Sequence, residues 1–177
     1  MVVSTNPTDE LMALGLGSCI GLAIVDRTAG VAGLAHIVLP ESHPGAETGK
    51  FADLAVPELI GRMGAAGAVK RRMEAAIAGG ASMFEVTGGM DIGTRNDEAV
   101  RAALRAARVT LRAAQTGGRQ GRTIRVHVGE GTVTVRAAGQ SPVTLLDGRR
   151  RSRGSRAARA GAGATAAAAA RSAGAMS

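Results

Sequence analysis

Between Cys19 and Leu39 the chain reads CIGLAIVD, then RTAG, then VAGLAHIVL. Two apolar runs separated by four turn-compatible residues predict a β-hairpin with a four-residue loop. If Asp26 pairs with Val31 across that loop, the numbers of paired residues sum to 57. Cys19 then stands opposite Val38, and His36 opposite Gly21. Opposed residues share a face of the sheet, and so do residues two apart on one strand. Cys19 and His36 become diagonal neighbours on one face, with backbones about 7–8 Å apart, which an imidazole can span to reach a thiol. A slip of one residue would put them on opposite faces.

The remaining pattern mixes helices and strands. FADLAVPELIGRMGAAG has helical spacing at Phe51, Leu54, Ala55, Leu59 and Met63, with Pro57 expected to kink the helix or delay its start. MEAAIAGGAS reads as a short buried strand ending in a Gly-Gly turn. NDEAVRAALRAARV is the clearest helix: Asn96 is the expected N-cap, Asp97 and Glu98 suit the first turn, and Val100, Ala103, Leu104 and Ala107 form one stripe. TIRVHVGEGTVTVRA alternates across Gly-Glu-Gly and predicts a second hairpin. Interspersed helices and hairpins imply an α+β layered sandwich of mixed and antiparallel sheet with flanking helices.

The core of such a domain must be built from Ala, Val, Leu, Ile and Met, because the chain has two Phe and no Tyr or Trp. Charge divides the chain in two. Residues 1–147 carry 15 basic and 14 acidic side chains; residues 148–177 carry seven arginines and no acid. The expected organisation is one nearly neutral domain over 1–147 and an Arg/Ala/Gly-rich disordered tail over 148–177. A neutral domain without stacking aromatics does not suit specific nucleic-acid binding. The N-terminus does not read as a signal peptide, and no apolar run reaches the ~20 residues of a membrane span. A single cysteine excludes an internal disulfide and suits a reducing cytoplasm.

The chemistry-bearing residues are Cys19 and three histidines: His36, His43 and His127. A cysteine nucleophile needs a nearby base. Only His36 is linked to Cys19 by the hairpin register. His43 falls in a Pro/Gly-rich loop, and His127 alternates on a strand toward solvent or a helix. Gly15 and Gly17 permit a tight approach, so that backbone N–H groups around Gly17, Ser18 and Cys19 can face a developing oxyanion. No spacing resembles a metal site, and GLGSCIG lacks the dinucleotide fingerprint. On these grounds alone Cys19 reads equally as a small buried hydrophobe or as a nucleophile.

LGLGSCIGLAIVD followed by GLAHIVLP resembles the signature of the CheD family, the chemoreceptor glutamine deamidases. The resemblance continues through GKFADLAVPELI, EAAIAGGASMF, IGTRNDEAV and TGGRQGRTIRVHVGEGTVTVR, covering roughly residues 11–137. It implies a cysteine-hydrolase-like α+β fold and cofactor-free deamidation of glutamine to glutamate on methyl-accepting chemotaxis receptors. It implies Cys19 as nucleophile and His36 as base. The implied partners are receptor cytoplasmic helices and a CheC-type phosphatase, in the cytoplasm and without membrane insertion. An open groove for the receptor helix is expected from Gly79, Gly80, Arg95 and Asn96; an N-cap role for Asn96 and a surface charge for Arg95 explain those two residues equally well. One position departs from the family pattern: the threonine six residues before the cysteine is Ala13 here. That departure favours the alternative of a weakly active or noncatalytic module that binds receptor or phosphatase.

Overall fold

The computed structural model describes residues 1–46, 48–82 and 91–148. The expected tail beyond Gly148, and Met83 and Phe84 of the GGASMF segment, lie outside the described residues. The hairpin is the centre of the structure. Its strands are β3 (Ile20–Asp26) and β4 (Val31–Ile37), in the order that follows β1 (Val2–Ser4) and β2 (Glu10–Leu16). Asp26 pairs with Val31, Gly21 with His36 and Ile20 with Ile37, which is the expected register. Every residue of β3 is buried. An apolar run without alternation is what a strand covered on both faces requires.

The two faces meet different layers. Ile20, Leu22 and Ile24 pack with Ile77 against helix α1 (Ala52–Ala65) and helix α2 (Ile92–Ala106), through Ala55, Val56, Leu59, Met63, Val100 and Leu104. Ala23, Val25, Ala32, Leu34, Ala76 and Ala78 face Leu11, Leu16, Ile124, Val126, Val133 and Val135 of a second sheet. The molecule therefore has three layers: helices, a five-stranded sheet and a four-stranded sheet. The five-stranded sheet has the order β1-β4-β3-β5-β6, with β5 at Glu74–Gly79 and β6 at Thr110–Thr116. β5 and β6 are parallel, and α2 supplies the crossover such a pair needs. The four-stranded sheet is antiparallel in the order β2-β7-β8-β9, with β7 at Arg122–His127, β8 at Thr132–Ala137 and β9 at Val143–Leu146. The β7–β8 hairpin is the expected one, with His127 opposite Thr132. No helix among the described residues is long and apolar enough to cross a membrane.

The first helix starts where its apolar spacing begins, and the second starts earlier than its expected cap at Asn96. α1 begins at Ala52 and runs through Pro57, so the proline does not delay it; the missing N–H removes one intrahelical bond while Leu59 and Met63 stay fully buried. α2 begins at Ile92 because Asp91, not Asn96, is the N-cap: its carboxylate accepts from the N–H groups of Gly93 and Thr94.

The turn end of the central hairpin is locked by a buried carboxylate. Asp26 is 0% exposed. It receives the Arg72 guanidinium at 2.9–3.1 Å, the Val69 N–H at 2.8 Å and the N–H groups of Thr28 and Ala29. Burial alone would raise its pKa, but these donors, Arg72 foremost, hold the carboxyl below its ordinary range. Asp26→Ala is expected to destabilise the fold by about 3–5 kcal/mol in urea unfolding, because it leaves Arg72 without its buried partner. Since the folded pKa is depressed, the stabilisation is complete above the unfolded value near pH 4 and is lost as pH falls from there through the lower folded value. Asp26→Asn should remove that part of the acid sensitivity.

Candidate active site around Cys19

The chain leaves the four-stranded sheet at Leu16 and enters the five-stranded sheet at Ile20. Gly17, Ser18 and Cys19 make the whole crossing, which begins with a tight turn in which the Gly17 N–H donates to Gly15 O at 2.9 Å. The Gly17 amide is thereby engaged, which leaves the Ser18 and Cys19 amides as the segment's oxyanion candidates.

The carbonyls of all three residues are held, two by the backbone just beyond β5 and one by α2. Ala81 N–H donates to Gly17 O at 2.8 Å, Asn96 Nδ2 to Ser18 O at 3.0 Å, and Gly80 N–H to Cys19 O at 2.9 Å. In a trans peptide the N–H points opposite to the C=O, and no cis bond occurs among the described residues. The Ser18 N–H therefore points away from Ala81, and the Cys19 N–H away from Asn96. The Cys19 N–H faces its own sulfur, an arrangement that favours the thiolate.

Gly79 and Gly80 are buried, and the backbone they admit is that of Cys19. A Cβ on Gly79, whose φ is +115°, would lie 2.1 Å from Cys19 O. Gly80 in turn lies against Gly93 in the first turn of α2, where a Cβ on Gly93 would come within 2.7 Å of the Gly80 backbone. These contacts seat α2 so that Asn96 reaches Ser18. Asn96 is 0% exposed, and its Nδ2 also donates to Val38 O at 2.8 Å. It is thus neither an N-cap nor a groove residue but a clamp behind the crossing. Arg95 is exposed on α2.

His36 is exposed on β4, opposite Gly21. Gly21 and His36 belong to the face that meets the second sheet, since Ala23 and Leu34, the next pair on that face, lie in the inter-sheet core. Cys19 is partly buried and packs against the same core. The structure therefore puts the thiol and the imidazole on one face at the open end of the hairpin. No hydrogen bond joins them among the described residues, and such pairs are often loose before substrate binds. The other histidines lie elsewhere. His43 is exposed and meets Phe51 edge-on at 5.5 Å; His127 lies 3.4 Å from Glu10 on the outer sheet.

Burial pushes the Cys19 thiol up and the His36 imidazole down from their ordinary values. Both shifts favour the neutral forms of the two groups. Ala13, at the position of the missing threonine, is 6% exposed on β2, paired with Ile124 and turned into the inter-sheet core. Sequence reasoning missed the clamp. The signal available for it was Asp91, a better cap placed so that Asn96 falls inside the helix.

Two measurements check this geometry. Carbon-13 titration of the His36 imidazole should give a midpoint below that of an exposed histidine, and pH-dependent alkylation of Cys19 one above that of an exposed cysteine. Gly79→Ala should lower thermal stability by more than about 2 kcal/mol and change the Cys19 alkylation rate, because both strain and collision fall on the cysteine backbone.

Residues 38–137 match the family described as CheD chemotactic sensory transduction. Cys19 and His36 precede that interval. The chain is 43% identical over 139 residues to a protein of Clostridium novyi (strain NT) named probable chemoreceptor glutamine deamidase CheD, covering 75% of this chain and 86% of the relative. Proteins with the same name from Clostridium botulinum (strain Alaska E43 / Type E3) and Symbiobacterium thermophilum are 44% and 40% identical, each matched over 88% of its length. With a family match over more than half its length and likeness of this extent, the chain belongs to the CheD family.

Proposed function

We propose that this chain is a chemoreceptor glutamine deamidase in which Cys19 is the nucleophile and His36 the base. The observation that carries the reading is its likeness, over 86–88% of their length, to relatives named for that activity. The shared face of Cys19 and His36 supplies chemistry that fits the name.

His36 takes the proton of the Cys19 thiol as sulfur attacks the side-chain carboxamide carbon of a receptor glutamine. The carbonyl oxygen becomes an oxyanion that accepts from the Cys19 N–H. Collapse breaks the C–N bond; His36 returns its proton to the nitrogen, and ammonia leaves. The resulting thioester is attacked by water, which gives a proton to His36. The second collapse breaks the C–S bond, and the thiol regains that proton. The products are glutamate and free enzyme. The substrates are the cytoplasmic helices of methyl-accepting receptors, which places the reaction in the cytoplasm; a CheC-type phosphatase belongs to the same reading as a second partner.

Ala13 favours one other reading, a binding module with little or no catalysis. A threonine at this buried position would need a hydrogen-bond partner, and the inter-sheet face it points to is the one that carries His36. Without it the imidazole is less firmly oriented.

Mass spectrometry of a cognate receptor fragment tests the two readings. The wild type should add about one mass unit per converted glutamine, Cys19→Ala should add none, and His36→Ala should slow conversion by about 10²–10⁴-fold. Ala13→Thr should raise kcat by about tenfold if orientation of the base limits the rate. No conversion of a receptor that the wild type demonstrably binds would leave the binding module as the function.

A further inference from the structure

Asn96 is wholly buried within α2, and its amide serves two backbone carbonyls from separate segments. Only Nδ2 can donate, so two carbonyl partners fix the sense of the amide. Ser18 O belongs to the peptide unit that carries the Cys19 N–H. Val38 O lies two residues beyond His36. The Oδ1 atom is buried and has no hydrogen-bond partner among the described residues. A core position needed only for packing is better filled by an apolar side chain of similar volume, which leaves no lone pair unsatisfied. The half of the amide that is used therefore accounts for its presence.

We infer that Asn96 is a positioning residue that aims the Cys19 N–H at the substrate oxyanion by holding the Ser18 carbonyl from behind. This rests on the deamidase reading. Of the three carbonyls in the crossing, those of Gly17 and Cys19 are held by backbone amides, whereas that of Ser18 is held by a side chain. The orientation of the Ser18–Cys19 peptide unit thus depends on which residue occupies position 96. Rotation of that unit would turn the Cys19 N–H away from the reacting centre. The bond to Val38 ties the same clamp to the end of β4, so the nucleophile's turn and the strand of His36 share one anchor.

Two reactions of Cys19 separate this role from ordinary support of the fold. Deamidation passes through an oxyanion. Alkylation by iodoacetamide displaces iodide at a saturated carbon, giving a thioether, and forms none. The full chain is assayed as wild type, Asn96→Asp, which keeps the shape but not the two donors, and Asn96→Ser, which is too short to span both carbonyls. The expected result is a kcat for receptor deamidation lowered about 10–100-fold in both variants, less than the roughly 10²–10³-fold that follows outright loss of an oxyanion donor, because the Cys19 N–H is misaimed rather than removed. KM should stay within about twofold, as for an interaction used only in the transition state. The limiting high-pH alkylation rate should change less than about threefold, because attack on a saturated carbon needs no oxyanion donor. An unchanged kcat overturns the inference, and so does a parallel fall in deamidation and alkylation, or failure of both variants to give a cooperative thermal melt. A wild type that is alkylated at Cys19 and binds receptor without deamidating it fails the deamidase reading itself, and leaves Asn96 no oxyanion to serve.

Discussion

The contact between Gly79 and the carbonyl of Cys19 governs the geometry around it. A strand that ends in two glycines lets the backbone of a crossing loop come closer than any side chain would allow. Once the Cys19 carbonyl is against Gly79, its hydrogen bond to the Gly80 N–H follows, and the bond from Ala81 to Gly17 falls one step further along. Gly80 carries the closeness onward, because Gly93 can settle on it and bring the second helix to the same place. The crossing of Gly17, Ser18 and Cys19 is thereby fixed through its backbone, with its side chains left out of the fastening.

Layering explains why this arrangement stands at an open edge. The central sheet is buried on both sides, with larger aliphatic side chains toward the helices and mostly alanine and valine toward the second sheet. Small residues allow the two sheets to pack closely along most of the hairpin. At the end that carries Cys19 and His36 the filling stops: the imidazole is exposed and the thiol half-buried. Such a place is dry enough to strengthen hydrogen bonds and open enough to admit another molecule.

Much of this was legible in the residues, for identifiable reasons. The hairpin register could be read because two uninterrupted apolar runs flank a loop of fixed length, and that register alone paired Cys19 with His36 on a face. The stripe of Val100 and Leu104 marked α2 equally well. β2 was not legible because its exposed positions include Met12 and Leu14, so burial alternates where hydropathy does not. β1, β6 and β9 are short or largely exposed edge strands with little apolar pattern. Gly79 and Gly80 announced a turn, but what would approach them depended on a loop sixty residues earlier. Asn96 fits a cap, a surface contact or a clamp by residue type, and only tertiary neighbours choose among them.

The buried Asp26 cluster lies at the far end of the strand that begins beside Cys19. Seven residues of β-strand span about 23 Å. Across that distance the strand is fastened twice, by Arg72 and Val69 at one end and by Gly80 and Asn96 at the other. A strand anchored at both ends cannot slide by one residue against its neighbours. A slip of one residue would move Cys19 and His36 to opposite faces of the sheet, and it would also force Ile20, Leu22 and Ile24 into the close inter-sheet contact that Gly21, Ala23 and Val25 now fill. The carboxylate at the turn therefore acts as a parity check on Cys19 and His36: it lies at the opposite end of the strand, yet it helps to hold the register that keeps thiol and imidazole on one face.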